Sequence, residues 1–407
     1  MKRGVEARIV AAALLHRILD EGAYSNVVIR TGTQDLEHRD AVFVQRIVYA
    51  AIRYLTRIDR TIEVFASRPV DDAVRSVLRI GVAEVLFTDG DDYAAVDSAV
   101  EAVRAVGAPR AAGFVNGVLR AVVRGGEPEL PSGAEGEALR FGIPRWLYED
   151  VVDAYGVEDA AAFLAASNEP ARVGVRDRDG IVPGEPVDGI VGAYMIDDVA
   201  GHREAIDRGR LAVADPSSTA AGAALDPQPG ERVLDLAAAP GGKTLHLSDL
   251  MGGEGMLVAM DRHSRRAGSA KRRLERVGAD VLWVIGDATA PPFASGTFDR
   301  VLLDAPCTGL GTLRRRPEIR HRLTAGSAAE AGRLQRQMLE AALTLLRPGG
   351  RLVYSVCTIT PEETGAVVAG MESRAPVGCP GSEIEGGILL APHLTGSDGM
   401  FIAVIDR

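Results

Sequence analysis

Two rhythms of apolar and polar positions divide the chain. From Val5 to about Arg124 apolar residues recur at helical spacing, as in Ile9, Ala13, Ile18 and Leu19, then Phe43, Ile47, Ala50, Ile52 and Leu55. Breaks at Ser67-Arg68-Pro69, at Thr88 to Asp92 and at Gly107-Ala108-Pro109 cut this stretch into several helices, so residues 1–125 read as an all-α domain. A polar stretch rich in proline and glycine, Gly125 to Gly133, makes 126–140 a linker. Residues 141–214 read as a small α+β connecting subdomain, with a helix beginning near Pro144, a second over 159–166 and an alternating strand ending at Arg176. From Asp215 onward the rhythm becomes strand, loop, helix. Apolar strands over 233–236, 256–260, 281–285, 300–303 and 352–356 alternate with helical stretches over 245–251, 265–277 and 328–346. That alternation predicts a mostly parallel sheet covered on both faces, an α/β doubly wound (Rossmann-like) domain over 215–407, closed by an antiparallel strand over 399–405.

In such a sheet ligands sit at the carboxyl ends of the strands, and the conspicuous polar residues fall there. The first strand runs into Ala237, Ala238, Ala239, Pro240, Gly241, Gly242 and Lys243, and Thr244 opens a helix. Two glycines let backbone approach a ligand closely, and a helix amino end offers free N–H groups. The loop has neither the spacing of a Walker loop nor that of a G-x-G-x-x-G dinucleotide loop. Asp261 ends the second strand at the spacing where a carboxylate grips ribose hydroxyls, and Asp287 follows the third, placed to accept from a base amino group. Each alone reads equally well as a cap or turn former. The fourth strand delivers Asp304 and Cys307, and the fifth Cys357. If those strands pair, roughly 5 Å separates them, so two cysteines and a carboxylate converge beside a nucleoside pocket. A metal is not expected, because no further Cys or His has ligand spacing. Cys379 reads as an inert buried thiol.

Composition adds the setting. The chain has 407 residues, 46% hydrophobic and 25% charged, with no apolar run long enough to span a bilayer. The amino-terminal stretch from Met1 to Glu6 reads as neither leader nor anchor, and three cysteines suit a reducing compartment; a cytoplasmic protein is expected. The net charge of −10 says little about a local face. Nearly all cations are arginine, and they cluster. Arg262, Arg265, Arg266, Lys271, Arg272, Arg273 and Arg276 read as a solvated helix face, whereas Arg314, Arg315, Arg316, Arg320 and Arg322 follow the Asp304 loop directly.

The segments Tyr93 to Glu101 and Ala112 to Arg120 resemble the NusB-like domain, a helical bundle that binds RNA. The loop from Asp235 to Thr244, the run Asp304-Ala305-Pro306-Cys307, and Tyr354-Ser355-Val356-Cys357 with Pro361-Glu362-Glu363 resemble the S-adenosylmethionine-dependent RNA 5-cytosine methyltransferases. In whole-chain order the sequence is similar to the RsmB/Sun (Fmu) family, which methylates a cytosine in small-subunit ribosomal RNA. The family often has Cys at the position of Ala237, usually Thr at Val356 and often Gln-Asp at Ala214-Asp215; none of these departures removes a group the chemistry needs.

The resemblance implies S-adenosylmethionine as cofactor, held by the 237–243 loop, Asp261, Asp287 and Asp304. It makes Cys357 the nucleophile that adds to cytosine C6, Cys307 the group that helps product leave, and Asp304 a contact to the ring. From position alone either cysteine would reach the ring. A base must leave its stack to enter such a pocket, so Arg314, Arg315, Arg316 and Arg320 are expected to meet RNA phosphates. The expected partner is ribosomal RNA, with no membrane and a monomeric enzyme. Three rivals remain: a transfer-RNA target, an amino-group methyltransferase, against which the cysteine pair speaks, and a non-catalytic RNA-binding assembly factor.

Overall fold

In the computed structural model residues 4–407 are described. Met1, Lys2 and Arg3, the start of the stretch read as neither leader nor anchor, lie outside them. The chain forms two compact units: one runs to Asn168 and takes in Leu313–Leu323, the other comprises Glu169–Thr312 and Thr324–Arg407.

The first unit is all helical: α1 Val5–Leu19, α2 Ser25–Gly32, α3 His38–Arg53, α4 Leu55–Phe65, α5 Asp72–Phe87, α6 Asp92–Ala105, α7 Ala112–Gly125, α8 Ala134–Phe141 and α9 Arg145–Asn168. The predicted spacing is what buries it, since Val44, Ile47, Val48 and Ala51 form one stripe of α3 and lie fully inside with Leu15, Ile58 and Leu119. Close approach of α5 and α7 requires Gly81, where an added Cβ would stand 2.8 Å from Leu119 Cδ1. The two helices expected after Pro144 are halves of α9, broken at Gly156 by its φ of 79°.

Two boundaries differ from the hydropathy reading. The 126–140 linker is helical from Ala134, and the 141–214 subdomain divides, its helices belonging to the first unit and its strands to the second. Leu313–Leu323, expected within the α/β domain, packs with the helices. Specific polar contacts hold it there: Glu318 accepts from Ser25 N and Oγ, and His321 Nε2 bonds the Ile52 carbonyl at 2.7 Å. Contacts across nearly three hundred residues leave no periodic trace in sequence.

The second unit opens with a four-stranded antiparallel sheet of β1 Val173–Asp177, β2 Glu185–Pro186, β3 Ala193–Ile196 and, after α10 Arg203–Asp207, β4 Leu211–Val213, in the order β2-β3-β1-β4. Then come α11 Pro216–Leu225, β5 Arg232–Asp235, α12 Gly242–Leu250, β6 Met256–Asp261, α13 Ser264–Arg276, β7 Leu282–Ile285, β8 Phe298–Asp304, α14 Ser327–Leu345 and β9 Leu346–Val356. Four more strands finish the chain: β10 Ser373–Arg374, β11 Ser382–Ile384, β12 Gly387–Leu390 and β13 Met400–Asp406. The large sheet runs β11-β12-β13-β9-β8-β5-β6-β7, with β10 also on β13. Strands β5 to β9 are parallel and β13 is antiparallel to β9, the predicted arrangement. Val233, Leu234, Leu302 and Val353 are fully buried, as central strands covered on both faces must be. Short β10, β11 and β12, spaced by glycine and proline, had no alternating run to betray them. No helix among the described residues is long and apolar enough to cross a membrane.

Candidate active site

The loop after β5 is held on three sides. Ala238 N donates to Met260 O at 2.8 Å, Ala239 N to Asp261 Oδ2 at 3.1 Å, and Gly241 N to Ala238 O at 2.6 Å. Gly241 caps α12 with φ 88°, a conformation an L side chain resists. A side chain at Gly242 would meet nothing within 4 Å, so open ground lies beside the amino end of α12. Asp261 Oδ1 accepts from His263 N at 2.8 Å, so this carboxylate first shapes the loop that a ribose would have to approach. Asp287 lies exposed beyond β7. Its Oδ1 takes both the backbone N–H and the hydroxyl of Thr289, which hold the carboxyl below its ordinary pKa, the geometry of a turn former.

Under this loop lies Asp235, 1% exposed, with Oδ2 accepting from Thr244 Oγ1 at 2.7 Å and Oδ1 without a hydrogen-bond partner. Burial pushes its pKa up to about 7, the Thr244 bond opposing and the nearby Asp304 charge adding. An orphaned carboxyl oxygen beside open loop backbone is a fit for a cofactor that brings its own donors, such as the ammonium of an amino-acid group.

Strands β8 and β9 pair with Asp304 opposite Ser355, and this register creates the reactive cluster. Cys307 Sγ and Cys357 Sγ stand 3.3 Å apart and form no disulfide. Asp304 accepts from Lys243 Nζ at 2.8 Å and from Ser355 Oγ at 2.9 Å. Burial lowers the Lys243 pKa, but Asp304 first, then Cys357 and Asp235, outweigh it and hold the ammonium above its ordinary value. The Cys307 thiol is pushed well above its ordinary value by its bond with Cys357, by burial, and by the charges of Cys357, Glu363 and Asp304. The structure therefore brings together Asp304, Cys307, Cys357 and the Lys243 end of the loop, while Asp287 is exposed just past β7, whose Ile285 pairs with Asp261.

Three features were missed in sequence. Arg266 Nη2 donates to Ala239 O and Arg273 Nη2 to Pro240 O, so two members of the arginine group read as solvated hold the loop's carbonyls. Lys243 pairs with Asp304. Glu363, fully buried, gathers donors from both cysteine-bearing loops. The spacing of Arg266 and Arg273 on one face of α13 was the available signal for the first; the others are tertiary.

The second arginine group needs correction. Arg314 and Arg320 are buried in the first unit, and Arg320, 1% exposed, donates from Nη1 to Phe141 O and Asn168 Oδ1 at 2.9 Å. Burial lowers its pKa to about 9, with Arg53 adding. It is a structural strut, not a phosphate contact. Arg315 and Arg316 are half-buried, and Arg316 and Arg322 stand 5.0 and 5.4 Å from the ring of Tyr24, itself 53% exposed.

Comparison with known proteins bears on both units. Residues 222–406 match the model of the 16S rRNA methyltransferase RsmB/F family, and residues 5–124 that of the NusB family. The chain is 30% identical over 427 residues to the ribosomal RNA small subunit methyltransferase B of Sodalis glossinidius, covering 99% of this chain and 98% of that one. It is 28% identical to the probable ribosomal RNA small subunit methyltransferase B of Bacillus subtilis, over 97% of each. The crystal structure of PH0851 superposes with a TM-score of 0.81 at 26% identity, covering 99% of this chain and 98% of that one. The helical unit thus carries a NusB domain, the sheet is that of a Rossmann-like methyltransferase, and the chain belongs to the family of ribosomal RNA small subunit methyltransferase B.

Proposed function

We propose that this chain transfers a methyl group from S-adenosylmethionine to C5 of a cytosine in small-subunit ribosomal RNA, through a covalent bond between Cys357 and C6. The carrying observation is the pair of cysteine sulfurs 3.3 Å apart at the ends of adjacent parallel strands, beside the Lys243–Asp304 ion pair. Methyltransferases that act on an amino group have no need of two thiols there.

S-Adenosylmethionine, when bound, supplies an electrophilic methyl; the 237–243 loop, Asp235 and Asp261 are the residues that would hold it. The protein's own groups do the rest. Two sulfurs in contact share one proton comfortably, not two charges. Lys243 is the cation close to Cys357, so a thiolate there has a countercharge, which favours Cys357 as the sulfur that attacks. The nearby cation supports the assignment that strand position left open. Addition of the Cys357 thiolate to C6 forms an S–C bond and moves electron density to C5, which takes up the methyl group. Asp304, oriented by Ser355 and Lys243, faces the ring as partner for N3 and the amino group. Loss of H5 to a solvent base then restores the ring double bond and expels the Cys357 sulfur, to which the Cys307 thiol, in contact with it, is placed to donate a proton.

The RNA partner is supported by the exposed Tyr24 ring beside Arg316 and Arg322, an aromatic and cationic surface on which an unstacked base and its phosphates can rest. Incubation with labelled S-adenosylmethionine and small-subunit ribosomal RNA, followed by nucleoside mass spectrometry, is expected to yield 5-methylcytidine. Label in an amino-methylated nucleoside, in transfer RNA alone, or in no RNA would replace this reading with one of its rivals.

A further inference from the structure

Glu363 lies in the short turn Pro361–Glu363 after β9, fully buried and facing no cation within ion-pair distance among the described residues. Its oxygens are nevertheless crowded with donors. Oε1 accepts from Thr308 N at 2.8 Å and from Gln335 Nε2 at 2.9 Å. Oε2 accepts from the hydroxyls of Thr308, Thr358 and Thr360. Donors on every side are the surroundings of a carboxylate, which has only acceptors to offer.

Thr308 directly follows Cys307 and Thr358 directly follows Cys357, and their hydroxyls also touch each other at 2.8 Å. Gln335, from α14, spends its second N–H on Pro306 O, and the Tyr354 hydroxyl reaches both Gln335 Oε1 and the Glu363 carbonyl. One buried carboxylate thus ties the backbone on both sides of Cys307 to the residue after Cys357. We propose that Glu363 is the positioning residue that sets the spacing of Cys307 and Cys357 and, by its charge, keeps Cys307 a thiol while Cys357 reacts. It touches neither substrate nor reacting atom and works through Thr308, Thr358 and Gln335.

This rests on the cytosine-5 reading for its catalytic consequence, but its geometric half does not. The charged or titratable groups that face Cys307 are Cys357, Glu363, Asp304 and Tyr354, with Lys243 paired to Asp304. Glu363→Gln keeps an acceptor for Thr308 N and Gln335, and its two amide hydrogens can be taken by two of the three hydroxyls, which then no longer find an acceptor at this position. Removing one negative charge beside Cys307 lowers that thiol's pKa. The test is run on the full chain. For Glu363→Gln we expect S-adenosylmethionine affinity within twofold of the natural chain, kcat lower by roughly 10–100-fold, and the pH midpoint for iodoacetamide labelling of Cys307, read by peptide mass spectrometry, shifted to lower pH. Thr308→Val, which loses a hydroxyl but keeps the backbone N–H, should lose less of kcat and leave the charge effect in place. If the natural chain methylates no RNA, the functional reading fails while the labelling profile still decides the positioning role. A Glu363→Gln chain with natural kcat, or with an unmoved Cys307 profile, overturns the proposal.

Discussion

Lys243 shows how much one side chain's meaning depends on its neighbours. Beside two glycines at a helix start it suggests a phosphate site, yet it is buried against Asp304, with Cys357 and Asp235 close by, and its charge is held by those anions. Lys243→Gln is expected to leave Asp304 and a Cys357 thiolate without a countercharge. Methyl transfer should fall by on the order of 10²-fold, with S-adenosylmethionine still bound; calorimetry alongside the transfer assay separates the two. Unchanged transfer would remove Lys243 from the chemistry. Arg320 makes the opposite point. Its place among arginines implied RNA, but its guanidinium holds the Phe141 carbonyl and Asn168 across 179 and 152 residues. Composition cannot distinguish a solvated arginine from a strut, because the difference lies in which carbonyls tertiary folding brings near.

At the scale of elements, the strand ends were legible because five apolar runs, each stopped by a polar or glycine-containing turn, can only be buried strands of a covered sheet. The register between β8 and β9, which sets Asp304 beside Ser355 and Cys307 beside Cys357, was inferred from adjacency alone. The loop after β5 depends on two supports that hydropathy does not show: the positive φ of Gly241 and the grip of α13 on its carbonyls. Gly241→Ala forces a Cβ into a left-handed conformation and to 3.0 Å from Leu274 Cδ1. It should destabilise the chain by about 1–2 kcal/mol and weaken S-adenosylmethionine binding, measured by urea unfolding and calorimetry. Arg273→Ala leaves the Pro240 carbonyl without its donor, and is expected to weaken cofactor binding while changing the urea midpoint little.

For the whole molecule, the departure of Leu313–Leu323 from the unit that surrounds it in sequence is the largest feature that periodicity could not reveal. Its anchors are polar and long-range, and one of them titrates. Burial lowers the His321 pKa to about 4, and burial lowers that of His246, on α12, to about 3. Each is neutral when folded and takes up a proton near its ordinary value of 6.5 when unfolded. Their contributions are therefore complete above that value and are lost as pH falls from about 6.5 toward 4 and 3. The urea midpoint should drop between pH 7 and pH 5, and His321→Gln should flatten part of that drop. An unchanged slope in the variant would mean that His321 is not held neutral. On the same unit, Tyr24→Ala with Arg316→Ala should weaken RNA binding and reduce its salt dependence, leaving S-adenosylmethionine affinity intact.

The two cysteines give the most direct test of the central claim. Each is replaced by alanine separately, the chain is incubated with small-subunit ribosomal RNA and S-adenosylmethionine, and the mixture is run on a denaturing gel. Cys357→Ala should abolish transfer and form no adduct. Cys307→Ala should accumulate a stable protein–RNA adduct, because the thiol beside the departing sulfur is gone. An adduct that survives loss of Cys357 and requires Cys307 would contradict the account.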